Sequence, residues 1–110
     1  MITPVRITAA QIGTSASAIY TCPSGTRAIV KRIVLANDTT TVIKPNLYLV
    51  PSGGSAGVTN IILNQKKLGS NESYSCPEFE GLVLQEGDSI QGTATTAAQV
   101  TIQGGLIEIV

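Results

Sequence analysis

The chain has no histidine and no tryptophan, one phenylalanine, three tyrosines and two cysteines. Without histidine it lacks the usual general base near neutral pH and the commonest metal-binding side chain. Ser–His–Asp and Cys–His nucleophiles are therefore excluded, and two cysteines are too few for a zinc site. Charge is scarce as well: 13% of residues are charged, seven basic and seven acidic, for a formal net charge of zero. That balance argues against a nucleic-acid binder working by counterion release. With 43% hydrophobic residues, it also argues against disorder. Weak self-repulsion favours association with neighbours. No apolar run approaches a transmembrane helix, and Met1-Ile2-Thr3-Pro4 does not open like a signal peptide. Cytoplasmic synthesis is expected, with no membrane or nucleic-acid partner and no cofactor. In that reducing compartment Cys22 and Cys76 are expected to remain unpaired thiols.

What the chain does hold is Val, Ile, Leu, Ala and Thr, residues that suit pleated, half-buried surfaces. At 110 residues it has room for one core. No apolar stripe of helical period persists for three turns. Short β-prone runs appear instead: Val5 to Ile12, Ala18 to Cys22, Ala28 to Asn37, Val42 to Val50, Thr59 to Leu63, Glu72 to Cys76, Leu82 to Leu84, Ser89 to Thr95 and Gln99 to Val110. Turn chemistry separates them at Pro23-Ser24-Gly25-Thr26, Asn37-Asp38-Thr39-Thr40 and Gln85-Glu86-Gly87-Asp88. Pro51 to Gly57 reads as a flexible loop. Pro45 suggests an edge position or a bulge in its strand. Gly104-Gly105 marks a bulge or bend, with alternation shifting from Val100 and Ile102 to Ile107 and Ile109. Eight or nine short strands at a spacing of roughly ten residues define the fold class. It is all-β, an antiparallel β-sandwich, jelly-roll-like, with at most one helical turn.

The expected core comprises Ile33, Leu35, Leu47, Leu49, Leu82, Leu84, Ile90, Val100 and Ile102. The phase of Ala28 to Asn37 stays open, because Lys31 and Arg32 interrupt both alternations. Residues 18–110 form the sandwich domain, and residues 1–17 are either an N-terminal arm or the first strand. In the arm reading Ile2, Val5, Ile7 and Ile12 form an interface with a neighbouring subunit. Residues 1–13 could then be deleted without altering the thermal transition.

Other candidates for chemistry have plainer explanations. Glu72, Glu78, Glu80, Glu86, Asp88 and Glu108 invite a two-carboxylate glycosidase reading, but sugar sites also need aromatic platforms. Gly53-Gly54-Ser55-Ala56-Gly57 lacks the Lys and Ser/Thr of a phosphate loop. Glu86-Gly87-Asp88 offers too few hard ligands for calcium, and Asp88 serves better as an acceptor for local backbone. Lys66-Lys67 reads as a solvated turn that could also meet acid on a partner. Tyr20-Thr21-Cys22-Pro23 and Tyr74-Ser75-Cys76-Pro77 share a context, through a faint duplication or through two similar strand endings. No enzyme is expected.

Three segments carry a resemblance. Ala18-Ile19-Tyr20-Thr21-Cys22-Pro23-Ser24-Gly25-Thr26-Arg27-Ala28-Ile29-Val30 resembles the opening of small bacteriophage virion proteins, where a strand follows and ends near an Asn such as Asn37. Gly81-Leu82-Val83-Leu84-Gln85-Glu86-Gly87-Asp88-Ser89-Ile90 resembles a later segment of theirs, and Val100 to Ile109 their closing strand. The longer Pro51 to Asn60 loop and the two Cys-Pro pairs depart from that pattern. The resemblance implies a β-sandwich in the virion, made in the host cytoplasm and carrying no catalytic residues. Its expected role is that of a capsid cement (decoration) protein, a homotrimer bridging major capsid protein subunits. A tail, baseplate or fibre-associated module is the alternative, and a carbohydrate-binding host-attachment module is a further one.

Overall fold

The computed structural model describes residues 2–94 and 100–110. Among them the strands are β1 (Ile2–Gln11), β2 (Ser17–Thr21), β3 (Arg27–Asn37), β4 (Asn46–Val50), β5 (Ile61–Leu63), β6 (Ser73–Ser75), β7 (Val83–Leu84), β8 (Ser89–Thr93) and β9 (Val100–Ile109). One sheet runs β1-β9-β3-β6, with β7 also pairing β3, and the other runs β2-β8-β4-β5. Every pairing is antiparallel. The expected antiparallel β-sandwich is the observed architecture. Most connections cross from one sheet to the other, and only β4–β5 and β6–β7 join strands of the same sheet, so most paired strands are distant in sequence. The expected strand ends at Thr95 and Gln99, like Met1, lie outside the described residues.

Period-two alternation places one face of each sheet inside. In β3, Ala28, Val30, Ile33, Leu35 and Asn37 point inward. The phase changes at Lys31, because pairing with β9 slips by one residue between Val30 and Arg32. Two adjacent charges at the middle of an apolar strand thus mark a bulge, with Lys31 as the extra residue. Of the nine expected core residues, seven are buried, and Leu49 and Leu82 are half-buried against the core. The core also takes in Val30, Ile43, Leu68, Phe79 and Leu106. Phe79 sits on the one 3₁₀ turn among the described residues, Pro77–Phe79, and closes the side of the sandwich beside β3 and β5.

Three expectations need correction. β9 does not shift phase: Val100, Ile102 and Leu106 are all buried, while Ile107 and Ile109 share the opposite face. Gly104 keeps the inward phase, and the irregularities lie instead in its neighbours, β3 at Lys31 and β1 between Ile7 and Ala10. Pro45 is not in a strand. It lies just before β4, which is an inner strand between β8 and β5, so the missing N–H interrupts no ladder. The upstream part of the expected strand survives only as the Ile43–Leu68 bridge. Pro51 to Gly57 is tied down rather than flexible. Gly54 N bonds Pro51 O at 2.9 Å, Gly57 N bonds Asn60 Oδ1 at 3.0 Å, and Asn60 Nδ2 bonds Ser55 O at 2.9 Å.

The Asn37 turn is held by one buried side chain. Its Nδ2 lies within 2.8 Å of Thr41 O, 3.0 Å of Gly69 O and 3.1 Å of Leu68 O. Its Oδ1 accepts from Thr39 N at 3.1 Å and Thr39 Oγ1 at 2.7 Å. Every polar group of this amide is satisfied, which is what permits its burial.

Gly104 and Gly105 differ sharply in what they tolerate. A Cβ on Gly104 would stand 2.3 Å from the backbone oxygen of Arg32, whereas one on Gly105 would meet Val5 O at an ordinary 3.6 Å. Gly104→Ala should therefore destabilise by about 2–3 kcal/mol through overpacking against fixed backbone. Gly105→Ala should stay within about 1 kcal/mol of wild type. Thermal melting of the two variants checks this, and equal melting temperatures would refute it.

Candidate interaction surface

Most of the carboxylates are spent on the fold. Asp88 accepts from Ser52 N at 3.1 Å and Gln85 N at 2.9 Å, holding two turns together. Glu86 accepts from Gly25 N at 2.7 Å, and Glu72 from Gly69 N at 2.6 Å. Tyr20 reaches from β2 across the sandwich and donates to Glu108 Oε2 on β9 at 2.6 Å. Burial first, and then this bond to a carboxylate, push the phenol well above its ordinary range, so Tyr20 remains a donor. Tyr74 donates to Glu78 at 3.0 Å, and Lys66 Nζ lies 4.7 Å from the centre of the Tyr74 ring. Lys66 is thus seated on an aromatic face rather than on a plain solvated turn. Among the described residues, no three or more Cys, Asp or Glu side chains gather as metal ligands. Among the described residues no helix is long and apolar enough to cross a membrane.

Cys22 and Cys76 are both buried and unpaired. Cys22 Sγ donates to Thr26 O at 3.3 Å. Burial, with a smaller contribution from Glu78, raises the Cys76 thiol from an ordinary 9.0 to about 12, and burial likewise raises Cys22. These are packing residues rather than reactive thiolates.

In the structure the N-terminal segment is paired as β1 within the chain's own sheet. Residues Ile2 to Ile7 pair in unbroken register with Ile109 to Gly104, and Ala10 and Gln11 pair with Ile102 and Thr101. Of the four expected interface residues, Ile7 and Ile12 are buried in the chain's own core, Val5 is half-buried against it, and Ile2 is exposed. Ile7 and Ile12 cannot meet a neighbour while β1 stays in place. What β1 does offer is the outer edge of the five-stranded sheet, where Pro4 contributes no N–H.

The outward face of that sheet carries the surface that sequence reasoning missed. Residues paired across antiparallel strands share a face. Pro4 pairs with Ile107, Ile107 with Ile29, and Ile29 with Val83, forming an apolar row across four strands. Ile2, Ile109 and Arg27 form the row on one side, and Arg6, Gly105 and Arg32 the row on the other. Val83 is 52% exposed and Ile2 67%. Beside the row lies an open trough of about 520 Å³, bounded by Pro4, Arg6, Lys31, Gly105 and Ile107 among others. Contiguous apolar surface with a charged rim marks a site of interaction more than of chemistry.

No family model matches the chain. No curated protein matches it. Solved structures do match in shape. A chain of infectious bursal disease virus, Gx strain, superposes with a TM-score of 0.55 at 10% identity, over 98% of this chain and 31% of that one. The VP2 subviral particle of the same virus gives 0.52 at 10% identity, over 98% and 32%. A subunit of the disulfide-linked pili of Bacillus endospores gives 0.53 at 19% identity, over 97% of this chain and 86% of that one. The chain spans about a third of the viral proteins it matches. At these identities the likeness is one of fold.

Three outcomes follow. Alkylating reagents should leave both thiols untouched in the folded protein and modify both in denaturant. Folding holds the Cys76 proton to about 12 against 9.0 ordinarily. The stability from the protonated thiol is therefore complete below pH 9.0 and lost as pH rises toward 12. Cys76→Ala should flatten that alkaline loss, and an unchanged pH profile would contradict the assignment. Deleting residues 1–13 should abolish cooperative melting. It removes Ile7 and Ile12 from the core at about 2–5 kcal/mol each, against a typical total of about 5–15 kcal/mol. A deletion with an unshifted transition would reinstate the arm.

Proposed function

We propose that the chain is a structural virion protein, a capsid cement protein that binds major capsid subunits and other copies of itself, as a trimer, on the particle surface. The observation that carries this reading is the apolar row Pro4–Ile107–Ile29–Val83 on an uncovered sheet face. It belongs to a chain whose described carboxylates mostly serve its own turns and sheets. Cementing requires recognition without chemistry, and extended backbone edges and half-buried apolar faces provide it. The shared fold supports the reading: the matching chains come from a subviral particle and from pili, both built of repeated subunits. The resemblance to small phage proteins supports the bacteriophage setting.

A carbohydrate-binding module is disfavoured by the placement of the aromatics. Tyr20 bonds across the sandwich, Tyr74 lies under Lys66, Phe79 is in the core, and Tyr48 is half-buried. None forms an open platform for a sugar ring.

Imaging purified particles that contain the chain, with and without a bound antibody fragment, tests location directly. Density on the outer capsid where major capsid subunits meet is the expected result. Density confined to the tail would replace cement with the tail-module alternative, and absence from the particles would overturn the virion role altogether.

A further inference from the structure

This neutral chain keeps its charges apart. All seven basic residues lie between Arg6 and Lys67, and six of the seven acidic ones between Glu72 and Glu108. The fold turns that order into geography. Arg6, Arg27, Lys31 and Arg32 are exposed on or beside the outward face of the five-stranded sheet. The three outward rows through Arg27, Ile107 and Gly105 contain no carboxylate. Glu72, Glu78 and Glu80 are exposed along β6 and the 3₁₀ turn that borders the same sheet.

Gly105 is central to the basic face. It stands between Arg6 and Arg32 in one row, each on an adjacent strand about 4.8 Å away. Having no side chain, it leaves the floor of the trough open between Arg6 and Lys31, while the Arg32 guanidinium turns the other way and donates to Ser75 Oγ on β6 at 3.3 Å. A side chain entering there would meet apolar surface from Pro4 and Ile107 and positive charge on either side. Arginine forks suit carboxylates, so the complementary knob is acidic.

We propose that the occupant is a second copy of this chain, docking its acidic Glu78–Glu80 edge onto the basic trough and the adjoining apolar row. This rests on the assembly reading above and names the two surfaces that such assembly would use. Face-to-face packing of identical sheets would oppose arginine with arginine, so the contact is heterologous, face to edge. Each copy then keeps one surface of each kind free, and the contact propagates until a ring closes.

Sedimentation velocity on the full chain, over a range of concentrations at low and high ionic strength, provides the test. Self-association should appear at low salt and weaken as salt screens the contact. The double variants R6E/K31E and E78R/E80R should each associate roughly tenfold more weakly than wild type. A one-to-one mixture of the two should recover association, because the native edge of the first meets the native face of the second. Gly105→Val fills the trough without altering charge and should weaken association while preserving the melting transition. If a charge-reversed variant fails to fold, R6Q/K31Q serves in its place. A wild-type chain that stays monomeric throughout, variants that associate like wild type, or a mixture without recovery would each overturn the proposal. A monomer still found on virus particles would leave the virion role standing, whereas a self-associating chain absent from particles would remove that role and retain the contact.

Discussion

β9 lies between β1 and β3, and the rest of the sandwich is arranged around that placement. A strand in the middle of a sheet must satisfy two ladders at once, and here both neighbours are far away in sequence: Ile2 faces Ile109, and Arg27 faces Ile109 from the other side. At Gly104 a Cβ would stand 2.3 Å from the carbonyl oxygen of Arg32. No side chain fits there, and both neighbouring strands take up an irregularity in the same region. The bulges re-aim Lys31 and Arg32 without disturbing the buried residues on either side. The basic face is thus a by-product of how three strands are made to fit.

A second regularity concerns polar side chains. Asn37, Asp88, Glu86 and Glu108 each accept from, or donate to, groups on another segment of the same chain, and Glu72 closes its own turn. With few helices and short strands, many backbone groups lie in turns, and they must find partners outside the ladders. The scarce polar residues are consumed in that task. A sandwich built this way has little left over for catalysis, and its free surface is dominated by sheet faces and edges.

Much of this was legible in the sequence. Turn residues and β-branched runs located every strand to within a few residues, since glycine and proline punctuation acts locally. Seven core residues followed from alternation alone. The failures have a common physical origin. Lys31-Arg32 blurred the phase of β3 because a bulge is defined by the partner strand, which the local pattern does not contain. Gly104-Gly105 was read as a phase shift when the glycine answers a backbone approaching from β3. Phe79 sits on a single turn with no periodicity to betray its burial. For the surface, the N-terminal apolar residues drew attention, yet two of the four face inward. The row Pro4–Ile107–Ile29–Val83 joins residues from four parts of the chain, and only the register between strands brings them together.

The pairing of Ile2 with Ile109 has a mechanical consequence. Tension applied to the two ends of the chain would separate β1 from β9 like a zipper, loading one hydrogen bond after another instead of all of them together. That geometry yields at low force. Tension entering through the sheet face would instead be shared along the length of several strands. The direction of pull would decide whether this domain opens or holds.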